Sequence, residues 1–256
     1  MKRFETGASD DGWYRRWFNR DYLKLYSHRD DEEAGIFLNF LIDRGYIKYA
    51  QKILDFPCGV GRHLQYLLSK NYNAYGMDLS TELLNEARKR TESESKESRL
   101  VRGDIRYPPF KTGFDIILNL FTSFGYFEDD DNRLVLNEIF RMLSPGGKFV
   151  LDFINIDFHL RNLIPEDDFI IEGAKVKINR KYNSESDRLM KKIEISREDD
   201  IRQYIESIKC LRRSDLMEMF KLAGFKVIDI IGSYDGSTFN EDSSRMILIG
   251  EKLCIA

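Results

Sequence analysis

The chain has 256 residues, of which 42% are hydrophobic and 13% aromatic, and this composition supports a packed core and excludes global disorder. Its formal net charge of −3 argues against a nucleic-acid partner, because such binding depends on neutralising phosphates. No run of about 18 apolar residues exists. Met1–Gly7 also lacks the apolar stretch of a signal peptide, so we expect a cytoplasmic protein that does not span a membrane.

The first predicted elements are helical. An aromatic-rich segment, Trp13–Tyr26, precedes a second helix at Asp31–Tyr46, whose apolar residues recur at helical spacing. From there short apolar runs alternate with helical patterns, which predicts a parallel sheet covered by helices on both faces. The predicted strands are Lys52–Phe56, Asn73–Asp78, Arg99–Arg102, Phe114–Leu120 and Lys148–Phe153. The predicted connections are a helix after Gly61, a helix capped by Ser80, a polar loop at Thr91–Ser98 and a helix at Arg133–Leu143.

The pattern changes between residues 163 and 211. Four runs there alternate apolar and charged residues without helices between them, as Val176–Arg180 and Met190–Ile195 illustrate. Such alternation is typical of antiparallel strands with one face in water. It predicts an inserted β-subdomain that serves as a lid or substrate subdomain.

The remaining chain returns to the first pattern. Ser214 is predicted to cap a helix that ends at Gly224, and two strands follow at Phe225–Ile231 and Arg245–Leu253, the last one antiparallel. We therefore expect three parts: residues 1–162 with the N-terminal helices and a cofactor-binding core, residues 163–211 with the β insert, and residues 212–256 completing the core sheet.

A glycine loop follows the first predicted strand. Asp55 ends that strand, and Gly59 and Gly61 let the backbone turn tightly against a ligand. Asp78 stands at the tip of the next strand, where a carboxylate can accept both hydroxyls of a ribose. A plain tight turn and an ordinary helix-capping acid remain the alternatives. The third glycine of a dinucleotide-binding loop is absent, which argues against an NAD-dependent oxidoreductase.

Five motifs in order carry a resemblance to a known family. They are Leu54–His63, Tyr75–Ser80, Arg102–Ile105, Phe114–Ile117 and Leu143–Gly147, and they resemble those of class I S-adenosylmethionine-dependent methyltransferases. The resemblance implies an α/β fold, a Rossmann-like seven-stranded doubly wound sheet with N-terminal helices and an inserted antiparallel β-subdomain. It also implies S-adenosyl-L-methionine as cofactor, bound at the carboxyl edge of that sheet.

The same resemblance implies roles for individual residues. Asp55 with the Gly59–Gly61 loop would hold the methionine part, Asp78 the ribose, and Asp104 the adenine amino group, with Ile105 beside the ring. Asn119 and Leu120 would border the sulfonium and the substrate. The further residues expected at the cofactor are Pro57, Cys58, Arg62, Leu79 and Tyr22. For Cys58 a packing role is favoured over a nucleophile, Arg62 either reaches a carboxylate or is solvated, and Tyr22 either faces the cofactor or only packs.

Three further segments resemble a narrower group. Asn119–Phe127, Tyr234–Ser237 and Ser244–Arg245 are similar to small-molecule methyltransferases, among them the N-methyltransferases of nucleotide-linked amino sugars. The expected partner is therefore a small-molecule acceptor, at nitrogen or oxygen. His159 is the candidate general base, with a packing histidine as the alternative, and Tyr126 is a second catalytic candidate.

Two other functions remain open. A nucleic-acid methyltransferase acting on adenine would carry Asp/Asn-Pro-Pro-aromatic after the fourth strand, but the chain has Asn119-Leu120-Phe121 there, and Tyr107–Phe110 precedes that strand. A non-catalytic cofactor-binding module is the other alternative, opposed by the intact acidic positions. The three cysteines and three histidines lie far apart and predict neither disulfides nor a metal site. The oligomeric state, monomer or dimer, stays open.

Overall fold

The structure is a computed structural model and describes residues 12–27, 31–93, 99–198 and 200–254. The helices are α1 (Trp13–Trp17), α2 (Arg20–Leu25), α3 (Asp31–Asp43), α4 (Arg62–Ser69), α5 (Thr81–Thr91), α6 (Asp129–Met142), α7 (Ile156–Arg161) and α8 (Arg213–Leu222). The strands are β1 (Lys52–Asp55), β2 (Asn73–Asp78), β3 (Leu100–Arg102), β4 (Phe114–Asn119), β5 (Leu143–Ile154), β6 (Glu166–Ile171), β7 (Ala174–Asn183), β8 (Arg188–Arg197), β9 (Asp200–Lys209), β10 (Phe225–Ile231) and β11 (Arg245–Lys252).

Seven strands form the main sheet, in the order β10-β11-β5-β4-β1-β2-β3. The pairs from β5 to β3 are parallel, whereas β11 runs antiparallel to both β5 and β10. This arrangement confirms the predicted doubly wound sheet and its antiparallel last strand. The chain leaves β1 toward β2 on one side and returns to β4 on the other, so the strand order reverses between β1 and β4. A crevice opens at the carboxyl ends of the strands at such a reversal.

Both faces of the main sheet are buried. Ile53 and Leu118 pack with α3 and α4 in one apolar cluster, and Leu54 and Ile117 point into a second cluster that includes α6 and α8. All four side chains are fully buried, which explains why the sequences of β1 and β4 contain continuous apolar runs.

The second sheet is antiparallel throughout, in the order β6-β7-β8-β9. Val176, Ile178 and Ile193 point into the same core cluster as α1 and are buried, while residues such as Lys177 and Ile205 on the opposite face are exposed. The predicted antiparallel insert with one wet face is therefore confirmed.

Several predicted boundaries were wrong. The segment Trp13–Tyr26 is two helices, because the Asn19 side chain accepts hydrogen bonds from the amides that begin α2. Ser214 is not the cap of α8, because the helix begins at Arg213 and Arg212 is its N-cap residue. The Asp215 carboxylate accepts a hydrogen bond from the Arg212 amide at 2.8 Å. The fifth strand begins at Leu143 rather than Lys148, and α7 was not predicted.

Part of the predicted loop at Thr91–Ser98 lies outside the described residues, as do His28 and Met1–Gly7. Within the residues that are described, no helix is long and apolar enough to cross a membrane.

Candidate functional site

A cavity of about 860 Å³ lies at the carboxyl ends of β1, β2 and β4, where the strand order reverses. Helices α1 and α2 and the connection that follows them form its outer wall. Of the residues expected at the cofactor, those that line the cavity are Tyr22, Pro57, Cys58, Gly59, Arg62, Asp78, Leu79, Asp104, Ile105 and Leu120. Tyr126 also lines it, whereas Asp55, Gly61, Asn119 and His159 do not.

The glycine loop is tied to the end of β2. Gly59 and Gly61 have φ angles of 54° and 76°, which side chains disfavour, and a Cβ at Gly61 would lie 2.9 Å from that of Ala87. The Gly59 amide donates to one carboxylate oxygen of Asp78 at 2.9 Å, and the Ser80 amide donates to the other at 2.8 Å. Burial raises the pKa of Asp78 to about 6 despite these hydrogen bonds.

Asp55 lies behind this loop rather than in the cavity wall. Its side chain is buried, and neither carboxylate oxygen makes a hydrogen bond with the residues that the structure describes. Burial and the negative charge of Asp78 raise the pKa of Asp55 well above its usual range, and the positive charge of Arg62 opposes them. The side-chain amide of Asn119, at the end of β4, is also buried and has no hydrogen-bond partner among the residues that the structure describes.

Asp104 stands at the opposite end of the cavity, where arginines surround it. Arg106 donates to both of its oxygens, at 3.1 Å and 2.9 Å, and Arg15 donates at 3.2 Å. Burial alone would raise the pKa of Asp104, but the hydrogen bonds from Arg106 outweigh it and lower the pKa. Arg106 also donates to the Tyr14 hydroxyl at 3.0 Å, which fixes α1 to this end of the cavity.

Aromatic rings form much of the remaining wall. The ring of Tyr22 lies 4.9 Å from that of Phe18 and 4.8 Å from that of Tyr26. Tyr126 packs against Trp13 at 4.8 Å between ring centroids. Tyr22 therefore both lines the cavity and packs, so the two roles considered for it are not exclusive.

Cys58 and Arg62 are both buried at the cavity. Burial, with the charges of Asp55 and Asp78, raises the pKa of the Cys58 thiol, which favours packing over nucleophilic chemistry. Arg62 is not a solvated helix-start charge, because its guanidinium lies 4.5 Å from the Phe121 ring centroid and 4.0 Å from the Glu33 carboxylate.

His63 lines the cavity, although the motif Leu54–His63, of which it is part, indicated no role for it. Its side chain is buried beside Phe121, with ring centroids 5.6 Å apart. Burial and the charge of Arg62 lower its pKa to about 3, so the ring is neutral at physiological pH.

His159 lies elsewhere. Its Nε2 is 3.1 Å from the carbonyl oxygen of Ser244, and burial lowers its pKa. Asp152, near the end of β5, is fully buried and accepts hydrogen bonds from Arg245 and Tyr234. His159 does not line the cavity, and its role as a base stays a prediction.

Comparison with known proteins agrees with this site. Residues 53–147 match the methyltransferase domain family. A glycine/sarcosine N-methyltransferase of Halorhodospira halochloris is 26% identical over 248 residues, which are 94% of this chain and 88% of that enzyme. A dTDP-3-amino-3,4,6-trideoxy-α-D-glucopyranose N,N-dimethyltransferase of Streptomyces venezuelae is 30% identical over 106 residues, covering 40% of this chain and 42% of that enzyme.

Solved structures share the fold. An S-adenosylmethionine-dependent methyltransferase from Clostridium acetobutylicum superposes with a TM-score of 0.76 at 19% identity, covering 94% of this chain and 99% of that one. An S-adenosylmethionine-bound amino pentose methyltransferase from Micromonospora echinaspora gives 0.64 at 21% identity, covering 91% and 97%. The motif order, the sheet topology and the match over residues 53–147 agree: this part of the chain is a methyltransferase domain, and the protein is an S-adenosylmethionine-dependent methyltransferase.

Proposed function

We propose that this enzyme transfers a methyl group to the nitrogen of a small amine such as an amino acid or an amino sugar. The observation that carries the proposal is the aromatic cavity at the carboxyl ends of β1, β2 and β4. Its volume of about 860 Å³ lies within the range of roughly 300–1,000 Å³ common for small-ligand sites. The relatives named above act on glycine, sarcosine and a nucleotide-linked amino sugar, and this chain is similar to them over most or part of its length.

The residues at the cavity fit the cofactor. Asp78 is held ready to accept the ribose hydroxyls, because two backbone amides orient its carboxylate. Asp104 would accept from the adenine amino group with Ile105 beside the ring. Gly59 leaves its backbone open, since a Cβ there would meet no atom within 4 Å. The carboxylate of Asp55 and the amide of Asn119 lack hydrogen-bond partners among the described residues, and they stand at the ends of β1 and β4, where the methionine part would lie.

When bound, S-adenosylmethionine would supply a methyl group from its sulfonium to the amine nitrogen and leave as S-adenosylhomocysteine. The chain contributes alignment and exclusion of water. Faces of aromatic rings attract cations, so Phe18, Tyr22 and Tyr126 would stabilise a sulfonium and a methylated ammonium. No charged base is required for a neutral amine, and His63, uncharged at physiological pH, adds no positive charge that would repel a cationic group.

The second sheet belongs to this proposal as a lid. We propose that residues 163–211 form a substrate subdomain between the core at 1–162 and its completion at 212–256. Glu172 after β6 lines the cavity, and the Lys24 ammonium of α2 lies 3.2 Å from its carboxylate. A small-molecule acceptor and action in the cytoplasm complete the proposal; nucleic acid is not expected as a substrate.

Calorimetry tests the proposal. Wild-type protein should bind S-adenosylmethionine and S-adenosylhomocysteine with micromolar Kd, about −8 kcal/mol. Asp78→Ala should weaken binding at least about 100-fold, because the ribose hydroxyls lose their acceptor, and Asp168→Ala on exposed β6 should not. Wild-type protein that binds should then methylate glycine, sarcosine or a nucleotide-linked amino sugar. Absence of cofactor binding would overturn the proposal.

A further inference from the structure

The turn after β4 has an unfavourable backbone. Phe121 and Thr122 both have φ angles of 57°, in the left-handed region that residues with a Cβ avoid, and neither is a glycine. Two such residues in succession persist only where surrounding contacts hold them, and strained backbone of this kind clusters at functional sites. The turn lies at the cavity, because Leu120, Phe121 and Ser123 all line it.

Asp152 at the end of β5 holds this turn twice. Its side-chain Oδ2 accepts the Phe121 amide at 2.8 Å, and its main-chain oxygen accepts the Thr122 amide at 3.0 Å. The side chain is fully buried and does not line the cavity, so Asp152 has no direct route to a bound ligand. Its action is therefore on the turn.

Two side chains from the end of the chain complete the arrangement. Arg245 donates through Nε to Oδ1 of Asp152 at 2.7 Å and through Nη2 to the Thr122 hydroxyl at 3.0 Å. The Tyr234 hydroxyl donates to Oδ2 of Asp152 at 2.8 Å. Burial raises the pKa of Tyr234, so the phenol keeps the proton that it donates. We call Asp152, Arg245 and Tyr234 the clamp.

The Phe121 side chain connects the clamp with residues at the beginning of α4. The Phe121 ring lies 5.6 Å from the Tyr234 ring and faces the Arg62 guanidinium at 4.5 Å. His63 packs against the same ring, 5.6 Å away. Both Arg62 and His63 line the cavity, so Phe121 links the clamp to the beginning of α4.

We propose that Asp152 is a positioning residue for the methyl acceptor. With Arg245 and Tyr234 it holds the strained turn Phe121–Ser123, and thereby Phe121, in the part of the cavity wall that would contact the acceptor, which we call the acceptor wall. This inference rests on the proposed function. It predicts that loosening the clamp impairs methyl transfer while the cofactor, which is bound by the β1 and β2 loops, keeps its affinity.

The test is Asp152→Asn, together with Asp152→Asn/Arg245→Met, which leaves no unpaired buried charge if the single variant does not fold. The matched control is Asp115→Asn. Asp115 also accepts a hydrogen bond from a backbone amide, that of Lys52 at 2.8 Å, but it lies near the amino end of β4, away from the cavity. Three quantities are measured: amide exchange of Phe121 and Thr122 by NMR, the Kd of S-adenosylhomocysteine, and kcat and KM with the amine that the wild type methylates.

We expect at least tenfold faster exchange at Phe121, a kcat lowered roughly 10- to 100-fold and a cofactor Kd within threefold of wild type. The control should match wild type in all three. Unchanged exchange would overturn the clamp, and faster exchange with unchanged kcat would overturn its role in methyl transfer. A wild type that binds no S-adenosylhomocysteine would instead overturn the proposed function, and the exchange result would still decide whether the clamp holds the turn.

Discussion

The two sheets of this enzyme differ in how many of their faces are buried. The seven-stranded sheet is covered on both faces, and the side chains of Leu54, Ile117 and Leu118 in its centre are fully buried. The four-stranded sheet turns one face to the core and the other to water, where Ile205 is 45% exposed. Shortening a side chain in a strand that is buried on both faces leaves a cavity and lowers stability, whereas shortening one on a solvent-exposed face leaves no cavity.

The sheets also reach the cavity differently. The main sheet does so directly, through the loops at the ends of β1, β2 and β4. The second sheet acts largely through α1 and α2: the Trp17 indole donates to Glu206 at 2.6 Å, and Tyr204 donates to Asp21 at 2.6 Å. One sheet therefore forms the floor of the site, and the other secures the helices that cover it.

The largest expected difference is in stability. Leu118→Ala should lower the free energy of unfolding by about 2–5 kcal/mol, because it leaves a cavity in a fully buried strand. Ile205→Ala, on the wet face of β9, should change it by less than about 0.5 kcal/mol. Urea denaturation followed by circular dichroism measures both. Equal losses would show that the second sheet is buried by a partner in solution.

A smaller effect is expected where the second sheet secures α1. Glu206→Gln removes the charged acceptor of the Trp17 indole and the ion pair with Lys191, at 3.4 Å, and should cost about 1–2 kcal/mol. The chain's two tryptophans, Trp13 and Trp17, both lie in α1, so their fluorescence reports this loosening directly. The matched change Glu194→Gln, on the opposite face of β8, should leave the fluorescence unaltered; an identical shift would place the effect in the sheet itself.

The smallest expected effect concerns the main sheet and is a change of cofactor affinity with pH. Asp78 accepts ribose hydroxyls best when ionised, and its raised pKa of about 6 means that it gains a proton as the pH falls through 6. Affinity for S-adenosylhomocysteine should therefore fall about fourfold between pH 7.5 and 5.5. Calorimetry at both pH values measures this change. Asp78→Asn, which cannot titrate, should show no such decrease, and a decrease of the same size in that variant would assign it to another group.

Much of this fold was predictable because its signals are local. The apolar runs of β1 and β4, the alternation in β7 and β8, and the glycines at 59 and 61 each report a requirement of their own segment. Ser80 was predicted as a cap and is one, since its hydroxyl accepts the Leu83 amide at 3.1 Å. Ser214 was predicted on the same grounds and is not, because α8 begins at Arg213 with Arg212 as its N-cap, which places Ser214 inside the first turn.

The site was predictable to a lesser degree. Most of the cofactor residues that the resemblance predicted line the cavity, but the resemblance could not show that Asp104 lies among arginines. Nor could it show that His63, rather than His159, lies at the cavity. Such facts depend on the direction in which each side chain points once helices have packed.

By itself, the sequence determined the class of the protein: an alternation of buried strands and helices, a turn whose backbone favours glycine, and carboxylates at the ends of strands. Only the tertiary structure decided how the acceptor wall is held. Asp152 and Arg245 are 93 positions apart, and their pairing leaves no periodic trace in the sequence. It arises because β5 and β11 lie side by side in the sheet, where burial of one charge requires the other beside it.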